Sequence, residues 1–274
     1  LRRQRQMCIR DSACTMLTGE ECIPEENSRI TSSTIEMLDM EQHYDIAVID
    51  EAQMIADRDR GHSWTRAILG VKADEIHICM SPAAEEVVTH LIALCEDTFE
   101  VRHYERKTAL VCEQEAFVFP DDVTEGDALI TFTKRAVLDI AGRLEREGIR
   151  ASVIYGSLPP EIRRRQIRLF LSHETKVVVS TDAIGMGLNL PVRRIVFIQT
   201  EKYDGISTRP LNIPEIRQIA GRAGRFGMYD TGYVNAMGED ARNYIAKRFD
   251  QPEPVIKKVS LGFPPVSYTH LRAH

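Results

Sequence analysis

Long apolar runs are missing from this chain. No stretch approaches the ~20 residues that a transmembrane helix needs, so a membrane is not an expected partner. The six cysteines are poorly spaced for metal: leaving aside Cys8, which lies in an N-terminal end that reads as foreign, Cys14, Cys22, Cys79, Cys95 and Cys112 are odd in number and form no CxxC pair. They read as reduced thiols and support neither a zinc site nor a disulfide framework. The eight histidines lack metal-ligand spacing, and there is no internal repeat or low-complexity segment. Positive charge is not in excess either, with 35 basic against 41 acidic residues. That balance argues against a protein that coats nucleic acid by bulk electrostatics, so any such binding must come from a local groove.

The two ends read as foreign. Met7-Cys8-Ile9-Arg10-Asp11-Ser12 back-translates to ATG-TGT-ATA-AGA-GAC-AGN, and Val266-Ser267-Tyr268-Thr269-His270-Leu271 to GTC-TCT-TAT-ACA-CAT-CTN. The two are reverse complements and match a transposon end used in sequencing libraries. Residues 1–12 and 266–274 are therefore expected to be adapter-derived and are excluded from fold reasoning. Without Arg2, Arg3, Arg5, Arg10, Arg272 and Asp11 the formal charge moves from −6 to about −10.

Between the ends, strand and helix signals alternate, which favours an α/β fold with parallel sheets. Strands are expected at Ile46–Asp50, Glu75–Cys79, Ala109–Cys112, Ala128–Phe132, Ala151–Tyr155, Lys176–Ser180, Arg194–Ile198 and Gly232–Ala236. Helices are expected at Ala83–Cys95, Lys134–Glu147, Pro160–Leu171, Ile213–Ala220 and Glu239–Arg248. In the third helix, Glu161, Arg164, Arg165 and Arg168 are assigned to solvent, and Ile162, Ile167, Leu169 and Phe170 to a core. A domain boundary is expected around Val101 to Lys107.

The most informative stretch is Gln218-Ile219-Ala220-Gly221-Arg222-Ala223-Gly224-Arg225. Two arginines three residues apart share one helical or turn face, and each follows a glycine that would let a large anion approach the backbone. Their planar forks suit phosphate oxygens, in particular the γ-phosphate of a nucleotide. Upstream, Asp45-Ile46-Ala47-Val48-Ile49-Asp50 fits a strand buried on both faces and ends in Asp50-Glu51-Ala52-Gln53. Ligands of open α/β sheets bind at the carboxyl ends of strands. One carboxylate there can hold Mg²⁺ and the next can orient or deprotonate a water; an acidic helix cap is the plain alternative.

Other strand ends carry weaker signals. Ser180-Thr181-Asp182-Ala183-Ile184-Gly185-Met186-Gly187-Leu188-Asn189 can meet a ribose or phosphate, or simply begin a helix with Asp182 as N-cap. Thr133 and Lys134 suit one backbone phosphate. Ser81 reads as an N-cap with Pro82 first in the helix. Tyr155 is as readily core as a base-stacking platform, and Trp64 reads as a packing residue.

Together these residues resemble motifs II, V and VI of superfamily-two helicases. Leu17-Thr18-Gly19-Glu20-Glu21, Thr34-Ile35-Glu36-Met37, Gln53-Met54-Ile55, Val153–Pro160 and Thr181–Leu190 are similar to the RNA helicases of the mitochondrial degradosome (the Suv family) and their bacterial relatives. The resemblance covers residues 13 to about 239. It implies two RecA-like parallel-sheet domains, the first truncated at its N-terminus, with ATP in the cleft and single-stranded RNA across the top. It implies Asp50 on Mg²⁺, Glu51 on the water, and Arg222 and Arg225 on the γ-phosphate, with Gln53 and Gln218 supporting the nucleotide. Asp182 and Gly185 would couple the nucleotide and RNA sites, and Thr34, Thr133, Lys134, Tyr155 and Thr181 would line the RNA path. The domains expected are 13–103 (partial first domain), 104–238 (second domain) and 239–265 (start of a C-terminal helical region).

One departure stands out: the phosphate-cradling pattern G-x-x-x-x-G-K-[ST] is nowhere in the chain. The expectation is an internal fragment that does not hydrolyse ATP by itself, although the intact protein does. Two alternatives stay open, a DNA helicase or translocase of the same superfamily and a non-catalytic RNA-binding scaffold. A monomer is expected, with an exoribonuclease as possible partner. The expected compartment is the bacterial cytoplasm, with the mitochondrial matrix as the alternative.

Overall fold

The computed structural model describes residues 13–19, 21–185, 190–225, 227–259 and 261. The ends expected to be adapter-derived lie outside these residues, as does the Met186–Asn189 part of the Ser180–Asn189 motif. The chain divides into two compact units. One is Tyr104–Pro252; the other joins the residues before it, up to His103, with those from Glu253 onward.

The first unit contains strands β1 (Cys14–Leu17), β2 (Cys22–Ile23), β3 (Ile30–Ser33) and β4 (His43–Ile49), helix α1 (Gly61–Gly70), strand β5 (Lys72–Ile78) and helix α2 (Glu85–Leu94). β1 pairs antiparallel with β2 and parallel with β3. β4 and β5 form a parallel pair in register from His43↔Lys72 to Ile49↔Ile78. Ile49, Ile55, Trp64, Ile68, Val88 and Leu91 make the core on one side of that pair. The expectation that the Asp45–Asp50 strand is buried on both faces is corrected. Ile46 and Val48 are 58% and 57% exposed. Side chains alternate across a strand, so these two share the uncovered face with their register partners Glu75 and His77.

Helix α1 has no counterpart in the sequence expectations. A Cβ on Gly61 would lie 2.4 Å from the Ile55 carbonyl oxygen. Only glycine lets the first turn of α1 close onto the 3₁₀ turn Ala52–Ala56, and that packing, rather than local propensity, holds the helix.

The second unit is built on six parallel strands: β6 (Ala109–Cys112), β7 (Asp127–Ile130), β8 (Ala151–Ile154), β9 (Val177–Ser180), β10 (Arg194–Phe197) and β13 (Thr231–Ala236). Their order is β6-β13-β10-β7-β9-β8. Helices α3 (Lys134–Arg146), α4 (Pro160–Leu171), α5 (Ile213–Ala220) and α6 (Glu239–Phe249) and the hairpin β11–β12 (Glu201–Tyr203, Thr208–Pro210) complete it. Both faces of the sheet are covered. Ala128, Ile130, Ile195 and Phe197 pack with Ile167, Phe170, Ile216, Ile219 and Ile245; Leu129, Val179 and Val196 pack with Val137, Ile140 and Leu144. Continuous apolar strands are the signature of such a sheet.

Two details depart from expectation. Ile162, assigned to the core, is 43% exposed at the start of α4. The stretch expected to open a C-terminal helical region divides instead. α6 joins the second unit through buried Ile245, while the Ile256 amide donates to the Ala83 carbonyl at 2.8 Å in the first.

Candidate functional site

In the first unit the candidate residues stand at the carboxyl end of β4. The Glu51 amide donates to Asp50 Oδ1 at 2.9 Å. Glu51 has left-handed backbone angles (φ 54, ψ 41), a conformation that costs a non-glycine residue about 1–3 kcal/mol and clusters at functional turns. Gln53 ties the corner together. Its Nε2 donates to Glu51 Oε2 at 2.5 Å, and its Oε1 accepts from the Ser81 amide at 3.1 Å. The loop after β5 is thereby joined to the acidic pair. Ser81 occupies the N-cap position before Pro82, as expected, but its side chain makes no capping bond. Nearby, burial together with the charges of Asp50 and Glu51 pushes the Cys79 thiol pKa up.

Sequence reasoning gave Trp64 a packing role and missed its polar one. The ring is buried, and its Nε1–H donates to the Asp50 main-chain carbonyl at 3.0 Å. Thr34 follows β3 and is half-buried. Burial alone would raise the pKa of nearby Glu36, but backbone hydrogen bonding, Arg60 and the Thr34 hydroxyl hold it below the usual carboxylate range.

In the second unit the candidates follow strands β7, β8 and β9, so the parallel sheet gathers them on one edge. Thr133 Oγ1 accepts from the Ala136 amide at 3.1 Å and caps α3. Lys134 Nζ sits 5.3 Å from the centroid of the half-buried Tyr155 ring, a cation–π arrangement. Thr181 is 6% exposed, and its hydroxyl accepts from the Ala183 amide at 3.3 Å. It, and not Asp182, caps the 3₁₀ turn Asp182–Gly185. Asp182 instead accepts from Lys202 Nζ at 3.2 Å.

Two further holders were illegible in the sequence. Gln199 Oε1, at the end of β10, accepts from Thr131 Oγ1 at 2.5 Å and from the Phe132 amide at 3.3 Å. It steadies the turn that presents Thr133 and Lys134. Arg163 donates to the Gly156 and Leu158 carbonyls at 2.9 and 3.1 Å and fixes the turn after Tyr155.

The arginine pair lies beyond the helix, not on it. α5 ends at Ala220, and residues 221–225 form a turn. Arg222 Nη2 donates to the Gly185 carbonyl, and the Gln218 side chain packs beside Gly185. Motifs 33 or more residues apart in sequence thus meet through Gly185, Gln218 and Arg222. The structure gives Gly224 a packing reason to be glycine. Gly224 has φ +66, and a Cβ there would lie 2.5 Å from the Gly232 nitrogen. The glycine makes room for the neighbouring strand β13.

Residues 3–104 match the DEXQ-box helicase domain of Suv3, and residues 108–227 the helicase conserved C-terminal domain. The chain is 40% identical over 252 residues to "ATP-dependent RNA helicase SUV3, mitochondrial" of Oryza sativa subsp. japonica, covering 90% of this chain and 44% of that protein. It is 36% identical over 259 residues to the protein of the same name in Saccharomyces cerevisiae (strain ATCC 204508 / S288c), covering 89% and 35%. The chain therefore spans less than half the length of these curated relatives. Among solved structures, S. cerevisiae Dbp5 bound to RNA and ADP BeF3 aligns with a TM-score of 0.59 at 18% identity, over 89% of this chain and 69% of that one. At that identity the likeness speaks for the fold.

The class is thus a helicase with RecA-like α/β architecture. Within it, the chain carries a domain that matches the Suv3 DEXQ-box helicase domain, followed by one that matches the helicase conserved C-terminal domain.

Proposed function

We propose that this chain is the motor segment of an ATP-dependent RNA helicase that translocates on RNA and unwinds it during RNA turnover. The observation that supports it most is the Asp50–Glu51–Gln53–Ser81 corner, in which a glutamine bridges the acidic pair to the loop after the neighbouring strand. Asp50 is exposed, and among the described contacts only Oδ1 is engaged by protein. One free carboxylate oxygen fits a hard cation that takes its other ligands from phosphates and water. In this reading Asp50 holds Mg²⁺, which neutralises phosphate charge when bound. Glu51, oriented by Gln53, accepts a proton from the attacking water. Arg222 and Arg225 stabilise charge on the γ-phosphoryl group, and Gln218 supports Arg222. Thr34, Thr133, Lys134, Tyr155 and Thr181 line the RNA path, with contacts that are mostly to phosphate and weakly sequence-dependent. Asp182 and Gly185 couple the strand to the nucleotide.

The mitochondrial names of the relatives favour the matrix over the bacterial cytoplasm. A monomer, and an exoribonuclease that consumes the delivered strand, complete the proposal. The domain limits 13–103 and 104–238 belong to the same reading.

The test uses the complete protein that carries this segment together with a P-loop. Single-stranded RNA is expected to stimulate its ATPase, and Glu51→Gln to cut turnover by roughly a hundredfold or more while ATP still binds. Stimulation by single-stranded DNA alone would replace the reading with a DNA translocase. ATP turnover unaffected by Glu51→Gln would remove it.

A further inference from the structure

The segment that enters the second unit reaches back to the arginine turn. Arg106 lies two residues past the start of that unit and 115 residues before Gly221. Its Nη1 donates to the Gly221 carbonyl at 2.9 Å, its Nη2 to the Ala223 carbonyl, and its Nε to the Thr108 carbonyl at 2.8 Å. Thr108 closes the same contact from the apolar side: its Cγ2 would lie 2.9 Å from a Cβ on Gly224.

A helix leaves its last carbonyls without intrahelical partners, and its C-terminus carries partial negative charge. Beyond α5 the chain must turn sharply, so its peptide planes need partners from elsewhere. Arg106 supplies them on both sides of one residue. The pinned carbonyls belong to Gly221 and Ala223, and Arg222 stands between them. A planar fork with separated donors can span carbonyls two residues apart, whereas a lysine ammonium offers a single point of charge.

We propose that Arg106 is a positioning residue for Arg222 and Arg225. By holding the 221–224 backbone it presents the guanidinium of Arg222 in one orientation, so that the segment joining the two units governs the geometry of the phosphate-sensing turn. The functional half of this proposal rests on the helicase reading above; the structural half does not.

The experiment compares wild-type complete protein with Arg106→Gln, Arg106→Lys and, as a control in the same segment, Arg102→Gln. Hydrogen–deuterium exchange is followed by mass spectrometry, together with RNA-stimulated ATPase. In Arg106→Gln and Arg106→Lys, amide exchange in 219–225 is expected to rise at least about tenfold, while the strand Asp127–Ile130 keeps its protection. kcat is expected to fall about tenfold or more, with KM for ATP and RNA affinity within about twofold of wild type, because misorientation acts on the transition state. Arg102→Gln is expected to match wild type in both arms. Unchanged exchange in 219–225 overturns the clamp, and so does full retention of both properties by Arg106→Lys. Increased exchange with unchanged kcat overturns the positioning role. Wild-type protein without RNA-stimulated turnover instead overturns the reading under Proposed function, and the exchange arm still decides the clamp.

Discussion

Trp64 donates its indole N–H to the main-chain carbonyl of Asp50 at 3.0 Å. The only tryptophan of the chain thus fixes the residue assigned to the metal while filling the core of the first unit. Trp64→Phe keeps an aromatic ring in place and removes the donor. The expected cost is about 1–3 kcal/mol, from the unpaired carbonyl and the smaller ring. Urea unfolding followed by circular dichroism checks it, and an unmoved midpoint would show that this bond contributes nothing.

Gln53 invites a pH experiment. Gln53→Glu places a second carboxylate where a neutral amide now donates to Glu51 at 2.5 Å. Two carboxylates that close share a proton, so one pKa of the pair rises. Glu51, in its proposed role as general base, would then share its proton with the new carboxylate. ATPase of the complete variant should be depressed at pH 7 by about tenfold and recover as pH rises. A profile parallel to wild type would argue against contact between the two side chains.

Deep in the second unit, Arg194 meets Asp127 fork to fork, with Nη2–Oδ2 at 2.7 Å and Nε–Oδ1 at 3.0 Å. Asp127 is wholly buried and Arg194 is 8% exposed. Asp127→Ala would strand a buried guanidinium, for an expected loss of roughly 3–5 kcal/mol. Guanidinium chloride unfolding of the variant measures it. A loss under about 1 kcal/mol would mean that Glu113, which also accepts from Arg194 at 3.2 Å, carries the pairing.

The hairpin β11–β12 is fastened to α5 through Glu215, which receives Arg209 at 2.9 Å and Lys202 at 2.8 Å and completes a capping box with Asn212. Burial raises the Glu215 pKa, but hydrogen bonds from Arg209, Lys202 and the Asn212 backbone outweigh it and bring the carboxyl from 4.5 to about 2. A depressed pKa means stability that is fully present above about 4.5 and lost as pH falls toward 2. The amount is on the order of 3 kcal/mol. Thermal unfolding between pH 5 and 2.5 should show this slope, and Glu215→Gln should flatten it.

The elements that sequence alone placed share one property: their signals are local. Ala109–Cys112, Pro160–Leu171 and Ile213–Ala220 were expected with the bounds observed, because an apolar run or an amphipathic period needs no distant partner to be read. The motifs at strand ends were legible for the same reason, since a parallel α/β sheet puts them on its carboxyl edge. Helix Gly61–Gly70 was illegible because glycines bound it and its stability comes from the Ala52–Ala56 turn.

Composition, residue order and spacing by themselves determined the α/β class, the acidic pair at Asp50 and Glu51, and the arginine pair at Arg222 and Arg225. Tertiary structure alone decided who holds them: Trp64 on Asp50, Gln53 between Glu51 and Ser81, Gly185 under Arg222, and Arg106 on the turn. The reason is physical. A hydrogen bond across 14 to 115 residues leaves no periodicity in the chain, because its partners become neighbours only when the core is packed.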